Sequence, residues 1–453
     1  MPYLFYSKMV LIKKRKRGNN IKTGNAGHAK KKKNSEETDS DEISSESELE
    51  DNDLKPELPI TDSEDENETA QEKKMRLTKK YLDELRTLQE QREDGVDAVG
   101  TKLEEEVLDK AGRLQRKVAD KFATPTSDDI SVLKGHRLTV TCMAVSQNGD
   151  MVFTGSKDCS IIKWGLSTKK KLATIQGGKK LKSTSKHHTG HVLCLALTSD
   201  GTYLASGSID KLILIWSPET CSHIHTFAGH RDGVLGLAFR TNSHQLFSSS
   251  QDRTVKVWDL DTMGYVETLY GHQDSVTACD SLIRERCVTA GGRDGTIRVW
   301  KIVEESQLVY HGHTGSVDCV KFINEEHMIS GSDDGSICLW GSMKKRPLFT
   351  IKNAHNLADS SRQTWITAVC SMRNSDLVAT GSSDGYIRLW KCGDRSLSPL
   401  FTVPVLGFVN DLNFVNNDTL IAAVGQEHKL GRWWKLKESK NVVMVIKLPA
   451  VKT

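Results

Sequence analysis

The feature that most constrains the fold is a tryptophan that recurs along the chain at intervals of 40 to 52 residues. The repeated residues are Trp164, Trp216, Trp258, Trp300, Trp340, Trp390 and Trp434. An aspartate stands six residues before each of the first six, at Asp158, Asp210, Asp252, Asp294, Asp334 and Asp384. His428 takes that place before the seventh. A repeat of this length and pairing is typical of a four-stranded propeller blade. We therefore predict an all-β protein built as a closed ring of seven blades, which favours a binding protein over an enzyme.

Each repeat carries further strand and turn signals. Most units open with a Gly-His pair or a variant of it, such as Gly229-His230, and close with an alternating strand such as Thr254 to Trp258. In units one, three and four, the histidine lies 22 residues before the aspartate. The same count back from Asp210 gives His188, so we assign His188, and not the nearby Gly-His pair, to the second unit. The connection before His188 is then longer than most others, and it is basic.

These motifs resemble the WD-repeat family over roughly residues 130–440. In that family, a histidine, a hydroxyl residue, an aspartate and a tryptophan form a hydrogen-bonded tetrad in each blade, which gives a buried carboxylate the partners it needs. The resemblance assigns structural roles to His136, Thr154, Asp158, Trp164, His188, Ser206, Asp210, Trp216, His230, Ser248, Asp252, Trp258, His272, Asp294, Trp300, His313, Ser330, Asp334, Trp340, Thr380, Asp384 and Trp390. We expect none of them to be catalytic.

Two units depart from the repeat. Ala290 stands at the hydroxyl position of the fourth unit, while Val424 and His428 replace the hydroxyl residue and the aspartate of the seventh. We therefore expect the seventh blade to lack the usual network. Two interpretations stay open for this blade: it is degenerate, or its residues have been released for binding.

Closure of the ring requires one strand from the far end of the chain. Residues 130–134 and 442–448 both have strand-like sequences. We expect one of them to complete the last blade and the other to add an edge strand, and the sequence leaves the choice open.

The N-terminal part differs in composition from the repeats, although the net charge of the whole chain is only +4. We predict a disordered tail over residues 1–68, basic first and then acidic. Its basic clusters are candidate nuclear-import signals, Lys13, Lys14, Arg15, Lys16, Arg17, Lys30, Lys31, Lys32 and Lys33. Apolar residues at helical spacing predict short helices in an arm over residues 69–124. This arm either lies against the propeller, predicted over residues 130–448, or binds a partner.

Several chemical classes have no support in the sequence. All ten cysteines lie between Cys142 and Cys392, and none forms a CxxC pair or has zinc-ligand spacing. No apolar run approaches the roughly 20 residues that cross a bilayer. No phosphate-binding glycine-rich loop or nucleophile elbow is present. We therefore expect buried thiols, no metal or cofactor, no membrane partner and no enzyme activity.

A closer resemblance extends beyond the generic repeat. It rests on residues 68–74, 158–164, 271–274, 290–295, 304–309, 324–328 and, most distinctively, 424–434. Over nearly the whole chain from residue 68, these segments are similar to the WD-repeat family associated with the U3 small nucleolar ribonucleoprotein. The resemblance implies a nucleolar, nuclear RNA-binding scaffold that recognises the box B/C region of U3 small nucleolar RNA. It implies as partners a small protein that binds the kink-turn there and other proteins of the small-subunit processome. It also implies a role in processing of the ribosomal RNA precursor, without catalysis by this chain.

The physical features agree with an RNA-binding role. RNA stems are recognised mainly through shape, phosphates and 2′-hydroxyls, which calls for cations on a rigid surface. We predict that the face with the Gly-His turns and the tetrad aspartates meets RNA. The candidate contacts are Lys179, Lys180, Lys182, Lys186, Arg253, Arg293, Lys429 and Arg432. Ordinary solvated charge is the alternative, because Asp232, Asp274 and Asp333 share that face. A protein-only adaptor, such as a ubiquitin-ligase substrate receptor or a chromatin-peptide reader, is the alternative function.

Overall fold

The computed structural model describes residues 70–90, 98–110, 112–178, 186–355, 364–416, 418–431 and 434–451. The predicted tail over residues 1–68, with its nuclear-import candidates, lies outside this part of the chain. Residues Met75–Thr453 belong to one compact unit. The helices are α1 (Ala70–Glu90) and α2 (Ala98–Lys110), with three 3-10 turns at Ala119–Lys121, Ser127–Asp129 and Gly292–Asp294.

The strands of the described residues form seven antiparallel four-stranded sheets, each running from an innermost first strand to an outermost fourth strand. Blade one contains β2 (Val140–Val145), β3 (Met151–Ser156), β4 (Ile161–Gly165) and β5 (Lys170–Ile175), and blade two contains β6 (Val192–Leu197), β7 (Leu204–Ser208), β8 (Leu212–Trp216) and β9 (His223–Ala228). Blade three contains β10 (Val234–Phe239), β11 (Gln245–Ser250), β12 (Thr254–Asp259) and β13 (Gly264–Tyr270), and blade four contains β14 (Ala278–Ser281), β15 (Arg286–Gly291), β16 (Thr296–Lys301) and β17 (Ser306–His311). Blade five contains β18 (Val317–Phe322), β19 (His327–Ser332), β20 (Ile337–Gly341) and β21 (Phe349–Ile351), and blade six contains β22 (Ile366–Ser371), β23 (Leu377–Ser382), β24 (Tyr386–Gly393) and β25 (Ser396–Pro404). Blade seven contains β26 (Phe408–Val415), β27 (Thr419–Gly425), β28 (Val442–Lys447) and β1 (Ile130–Leu133).

The seven-bladed prediction is confirmed. The innermost strand of each blade packs against that of the next, and β26 packs against both β22 and β2, which closes the ring. Apolar side chains fill the space between neighbouring blades. Phe153 of blade one, for example, packs in one buried cluster with Leu204 and Trp216 of blade two.

Both candidate terminal strands belong to blade seven. The third strand is β28, and β1 pairs antiparallel with it on the outside, from Ile130 opposite Ile446 to Leu133 opposite Val443. The expectation that one of the two segments adds an extra edge strand was wrong.

Trp434 also does not end a strand, because it lies between β27 and β28. The 40-to-52-residue spacing placed it in register with the other tryptophans, but the third strand of this blade starts eight residues later, at Val442.

The predicted helical arm holds two helices, and the second is shorter than the apolar spacing suggested. Helix α2 ends at Lys110, and Gly112 takes a left-handed backbone conformation with φ +68°. Glycine commonly occupies this position after a helix because it has no Cβ to clash. Leu114 and Val118, whose apolar side chains have helical spacing, lie beyond the end of this helix.

We call residues 112–123, which include the 3-10 turn Ala119–Lys121, the strap. It runs along the end of the ring where the loops between first and second strands lie. Within it, the amides of Val118 and Ala119 donate to Asp376 Oδ1 at 2.7 and 2.9 Å. Its backbone is hydrogen-bonded successively to blades five, six and seven, through Glu325, Asp376 and Pro449. The strap therefore ties three blades together before the chain enters β1.

Candidate nucleic-acid interface

Blade two illustrates how each tetrad is built. His188 lies between strands, with Nδ1 3.1 Å from Asp210 Oδ2 and Nε2 2.7 Å from Ser206 Oγ. The indole N–H of Trp216, which can only donate, reaches the same Ser206 oxygen at 2.8 Å. The histidine chosen by the 22-residue count is thus the one that meets the aspartate, while His191 contacts the carbonyl of Lys157.

The same arrangement recurs in the other five blades that carry the aspartate. The histidines bonded to a hydroxyl residue are His136 with Thr154, His230 with Ser248, His272 with Thr289, His313 with Ser330 and His355 with Thr380. The indoles that donate to these hydroxyls belong to Trp164, Trp258, Trp300, Trp340 and Trp390. The aspartates near the histidines are Asp158, Asp252, Asp294 and Asp384, and in blade five Ser336 stands between His313 and Asp334.

The pKa is lowered for five of the tetrad carboxylates, those of Asp158, Asp210, Asp252, Asp294 and Asp334. Burial raises the pKa of Asp252, but hydrogen bonds from His230 and Thr254 outweigh burial and leave the pKa below its ordinary value. The pKa of Asp210 is lowered in the same way, chiefly through His188. These carboxylates therefore serve as fixed acceptors inside each blade, and their chemistry is structural.

The prediction that Ala290 leaves the fourth blade without a hydroxyl was wrong. Thr289, one residue earlier, bonds to both His272 Nε2 and the indole of Trp300, at 2.8 and 2.9 Å. The 3-10 turn at Gly292–Asp294 adds one residue to the hairpin between β15 and β16. The hydroxyl therefore lies five residues before the aspartate, and a fixed four-residue count misses it.

The seventh blade has no tetrad, and a long loop between β27 and β28 takes its place. We call residues 426–441, described except for 432–433, the plug loop. Its residues His428, Lys429 and Leu430 close one end of the central channel, together with Leu193 and Leu235 of the innermost strands.

Neighbouring blades fasten the plug loop. The buried Lys157 of blade one donates from Nζ to Gly431 O at 2.6 Å and to Glu427 Oε2 at 3.3 Å. Asn410 of β26 accepts the Lys429 amide at 2.9 Å and donates to the carbonyl of Glu427 at 3.1 Å. Lys157 thus bonds the plug loop across a blade boundary, while Asn410 bonds it within blade seven.

The channel that the plug loop closes has a volume of about 560 Å³ and is lined by the innermost strands. Burial raises the pKa of its Cys142 and Cys319 thiols to about 12, so they remain protonated. Burial likewise raises the pKa of Asp318 to about 6, although Lys429 opposes the shift.

Among the residues that the structure describes, no group of histidine, cysteine, aspartate or glutamate side chains could hold a metal ion.

The Gly-His connections and the tetrad aspartates lie on one face of the ring, which we call the aspartate face. The amide after each of three histidines donates to the tetrad carboxylate: Arg137 to Asp158 at 3.0 Å, Thr189 to Asp210 at 3.0 Å and Arg231 to Asp252 at 2.9 Å. These hydrogen bonds hold each connection beside the turn between the second and third strands.

Arg253 and Arg293 lie in such turns, and both are exposed. Arg253 has φ 67°, at the position where blades four, five and six carry glycine. Lys211 holds the equivalent position in blade two with φ 74°, and its Nζ donates to Arg231 O at 2.7 Å. Lys211 was not among the predicted contacts, although its place directly after a tetrad aspartate could have identified it.

The other predicted contacts divide into three groups. Lys186 is exposed, two residues before His188, and borders the aspartate face. Lys179, Lys180, Lys182 and Arg432 lie outside the described residues. Lys429 is only half-buried but points into the channel, where it lies near Asp318. Its placement on the exposed face was therefore wrong, because the plug loop turns inward over the channel.

The acids on the aspartate face are engaged with local backbone. Asp232, Asp274 and Asp333 accept the amides of Gly233, Ser275 and Ser316, at 2.9, 2.7 and 2.7 Å. Arg253 and Arg293 form no ion pair with any described residue. Arg253 and Arg293 are thus available to a ligand. The three aspartates each already accept one hydrogen bond from a nearby backbone amide.

Comparison with known protein families gives a match to the WD domain, G-beta repeat. The matched residues are 127–165, 178–217, 221–259, 264–301, 304–341 and 348–391. These segments cover the six blades with tetrads, and most of blade seven lies outside them.

None of the described helices is long and apolar enough to cross a membrane.

Individual proteins give closer matches. U3 small nucleolar RNA-interacting protein 2 of Mus musculus is 54% identical over 392 residues, which cover 84% of this chain and 82% of the mouse protein. Ribosomal RNA-processing protein 9 of Saccharomyces cerevisiae is 28% identical over 471 residues, covering 81% of this chain and 82% of the yeast protein. A solved structure described as that of U3-55K is 53% identical, with a TM-score of 0.69, and it covers 72% of this chain and is itself covered completely. The chain therefore belongs to the WD-repeat family, within the group of U3 small nucleolar RNA-interacting proteins.

Proposed function

We propose that this chain is a non-catalytic RNA-binding scaffold of the U3 small nucleolar ribonucleoprotein. It binds the box B/C region of U3 RNA and supports processing of the ribosomal RNA precursor toward the small ribosomal subunit. The names of the relatives support the particle and the process. The observation that carries the RNA-binding step is the row of exposed cations Arg231, Arg253 and Arg293, held on the rigid turns of the aspartate face.

The geometry suits a folded RNA. Tetrads fix each turn, so the cations are positioned without an ordering cost on binding, and a rigid array of charges matches the regular phosphates of a stem. The amide of Gly178 donates to His188 O at 2.9 Å, and the basic connection with Lys179, Lys180, Lys182 and Lys186 follows Gly178 in the sequence. We propose that this connection extends the same surface.

The remaining assignments follow from this role. We propose that the chain works in the nucleolus, and that the basic clusters in residues 13–17 and 30–33 direct nuclear import. Its proposed partners are U3 RNA, a kink-turn-binding protein of the same particle and proteins of the small-subunit processome. The tetrad residues keep a structural role, and no cofactor enters the proposal.

The test compares cations on opposite ends of the ring. Arg231, Arg253 and Arg293 are changed together to alanine in the full chain, and binding of a box B/C RNA transcript is measured against salt concentration. Each lost phosphate contact flattens the plot of log affinity against log salt by roughly 0.7–0.9, so we expect a slope shallower by roughly 2. The matched control changes the exposed Lys344, Lys345 and Arg346, which lie between the third and fourth strands of blade five, at the other end.

Two results would contradict the proposal. An equal loss in the control would mean that the aspartate face has no special part in binding. A wild-type chain that ignores the transcript but retains protein partners would favour the protein-only adaptor.

A further inference from the structure

The aspartate face carries an aromatic column that the tetrads do not explain. His428 of the plug loop lies 5.0 Å from Trp365, centroid to centroid, with 31° between the ring planes. Trp434, from the same loop, also lies beside Trp365, with ring centroids 6.4 Å apart and 26° between the ring planes. Trp365 therefore neighbours both other rings, and we call the three rings together the aromatic column.

The outer end of the column is open to solvent. Trp434 is 41% exposed, whereas the tetrad indoles are almost fully buried. Phe408 supports its edge, with centroids 5.2 Å apart and planes at 88°. Trp434 therefore offers exposed aromatic surface that packing holds in place.

The inner members of the column are also incompletely satisfied. Trp365 Nε1 and His428 Nε2 are buried and have no hydrogen-bond partner among the described residues. Burial lowers the pKa of His428 to about 3, so the imidazole is neutral and stacks without a charge. The column is thus an uncharged aromatic platform.

Cations flank this platform. Lys435 follows Trp434 directly, with 51% of its side chain exposed and only a 3.7 Å contact to Glu427. Lys437 and Lys440 in the same loop are exposed. Aromatic rings with neighbouring lysines are the combination by which proteins hold unpaired nucleotides, because a base stacks on the ring while the cations meet its phosphates.

We propose that Trp434 stacks on one unpaired nucleobase of the bound RNA and so extends the column from the plug loop. This inference rests on the proposed RNA-binding function and adds a site to it. The cations of Arg231, Arg253 and Arg293 hold the phosphates of a stem, while Trp434 selects for a nucleotide that is splayed out of it. A perfectly paired RNA lacks this second contact.

The experiment uses the full chain and the box B/C RNA transcript. Trp434→Ala should weaken binding roughly 5- to 150-fold, the range expected for one base–aromatic stack. Trp434→Phe should keep most of the affinity because a ring remains. Tyr265→Ala is the matched control, because Tyr265 is 54% exposed but lies at the start of β13, at the end of the ring away from the aspartate face, and it should leave binding unchanged.

A second measurement locates the base. Unpaired nucleotides of the transcript are replaced one at a time by abasic ones, and each RNA is tested with the wild-type chain and Trp434→Ala. At one position, the abasic RNA should bind both proteins equally, because the stacking partner is already lost. Additive losses at every position would overturn the inference.

The outcomes separate this site from the proposed function. If the arginine variant loses affinity and Trp434→Ala does not, the RNA-binding function stands and the stacking site is wrong. If Trp434→Ala loses a protein partner and keeps its RNA affinity, the platform is a protein contact and the inference fails. If the wild-type chain does not bind the transcript, both proposals fail.

Discussion

Blade two and blade seven hold the connection between their second and third strands by different means. In blade two, a short turn joins β7 to β8, and Asp210, His188, Ser206 and Trp216 fix it from within the blade. In blade seven, the plug loop spans residues 426–441, and its anchors Lys157 and Trp365 come from blades one and six. One blade is stabilised internally, and the other by its neighbours.

The difference shows what the loss of a tetrad permits. A tetrad fixes a tight turn, and the turn then displays only the one or two residues at its tip. Without it, the chain can leave the blade, close the channel and stack rings on the exposed side. The contacts of the plug loop show an ordered alternative to the tetrad, and release of these positions for binding stays a prediction.

The largest expected effect compares the tryptophans of the two blades. Trp216 is 1% exposed and Trp434 is 41% exposed, although the sequence places them at equivalent points of the repeat. We expect Trp216→Ala to lower the free energy of unfolding by about 3–5 kcal/mol, because it leaves a cavity in the core. Trp434→Ala should change it by less than about 1 kcal/mol. Urea unfolding of the full chain measures both, and equal losses would mean that blade seven depends on its tryptophan as blade two does.

A smaller effect is expected from the anchor of the plug loop. Lys157→Met removes the donor to Gly431 O and leaves Glu427 with only its distant contact to Lys435. We expect a loss of about 2 kcal/mol, because a buried carbonyl and a partly buried carboxylate lose a charged partner. Hydrogen exchange should accelerate in residues 426–431. The exposed Lys211→Met is the control, and faster exchange spread evenly over all blades would argue against a local anchor.

The smallest effect concerns pH at the channel end beneath the plug loop. The pKa of Asp318 in the folded state is raised to about 6, so folding favours the protonated carboxyl. The stability it contributes is complete below the ordinary pKa of about 4 and is lost as the pH rises through 6. Asp318→Asn should therefore be more stable than the wild-type chain by about 1 kcal/mol at pH 8, a value reduced for partial exposure. Thermal unfolding at pH 4.5 and pH 8 tests this, and the opposite pH trend would show that the carboxylate is stabilised in its ionised form.

The regular blades could be predicted closely because their spacing is set by geometry. A strand of fixed length and a tight turn keep the histidine 22 residues before the aspartate, which was enough to identify His188. The count failed for Thr289, where a 3-10 turn inserts one residue. Local spacing identifies a repeat well, but it carries no information on a single added residue.

The irregular contacts could not be predicted because they join residues far apart in sequence. Nothing near Lys157 shows that its amine reaches Gly431, more than 270 residues later in the chain. For the same reason, the sequence prediction placed Lys429 on the aspartate face, whereas its side chain points into the channel. The strap was missed because its apolar residues have helical spacing, whereas α2 ends before Gly112 and the contacts with Asp376 fasten the strap to blade six.

The pairing of β1 with β28 sets an order of events during synthesis. Leu133 is made early, but its partner Val443 follows about 310 residues later. At the usual translation rate of 5–20 residues per second, β1 waits about 15–60 seconds for the strand that covers it. Throughout that interval, the nascent protein exposes an unpaired strand and an incomplete ring, which makes it a candidate for chaperone protection until its last residues leave the ribosome.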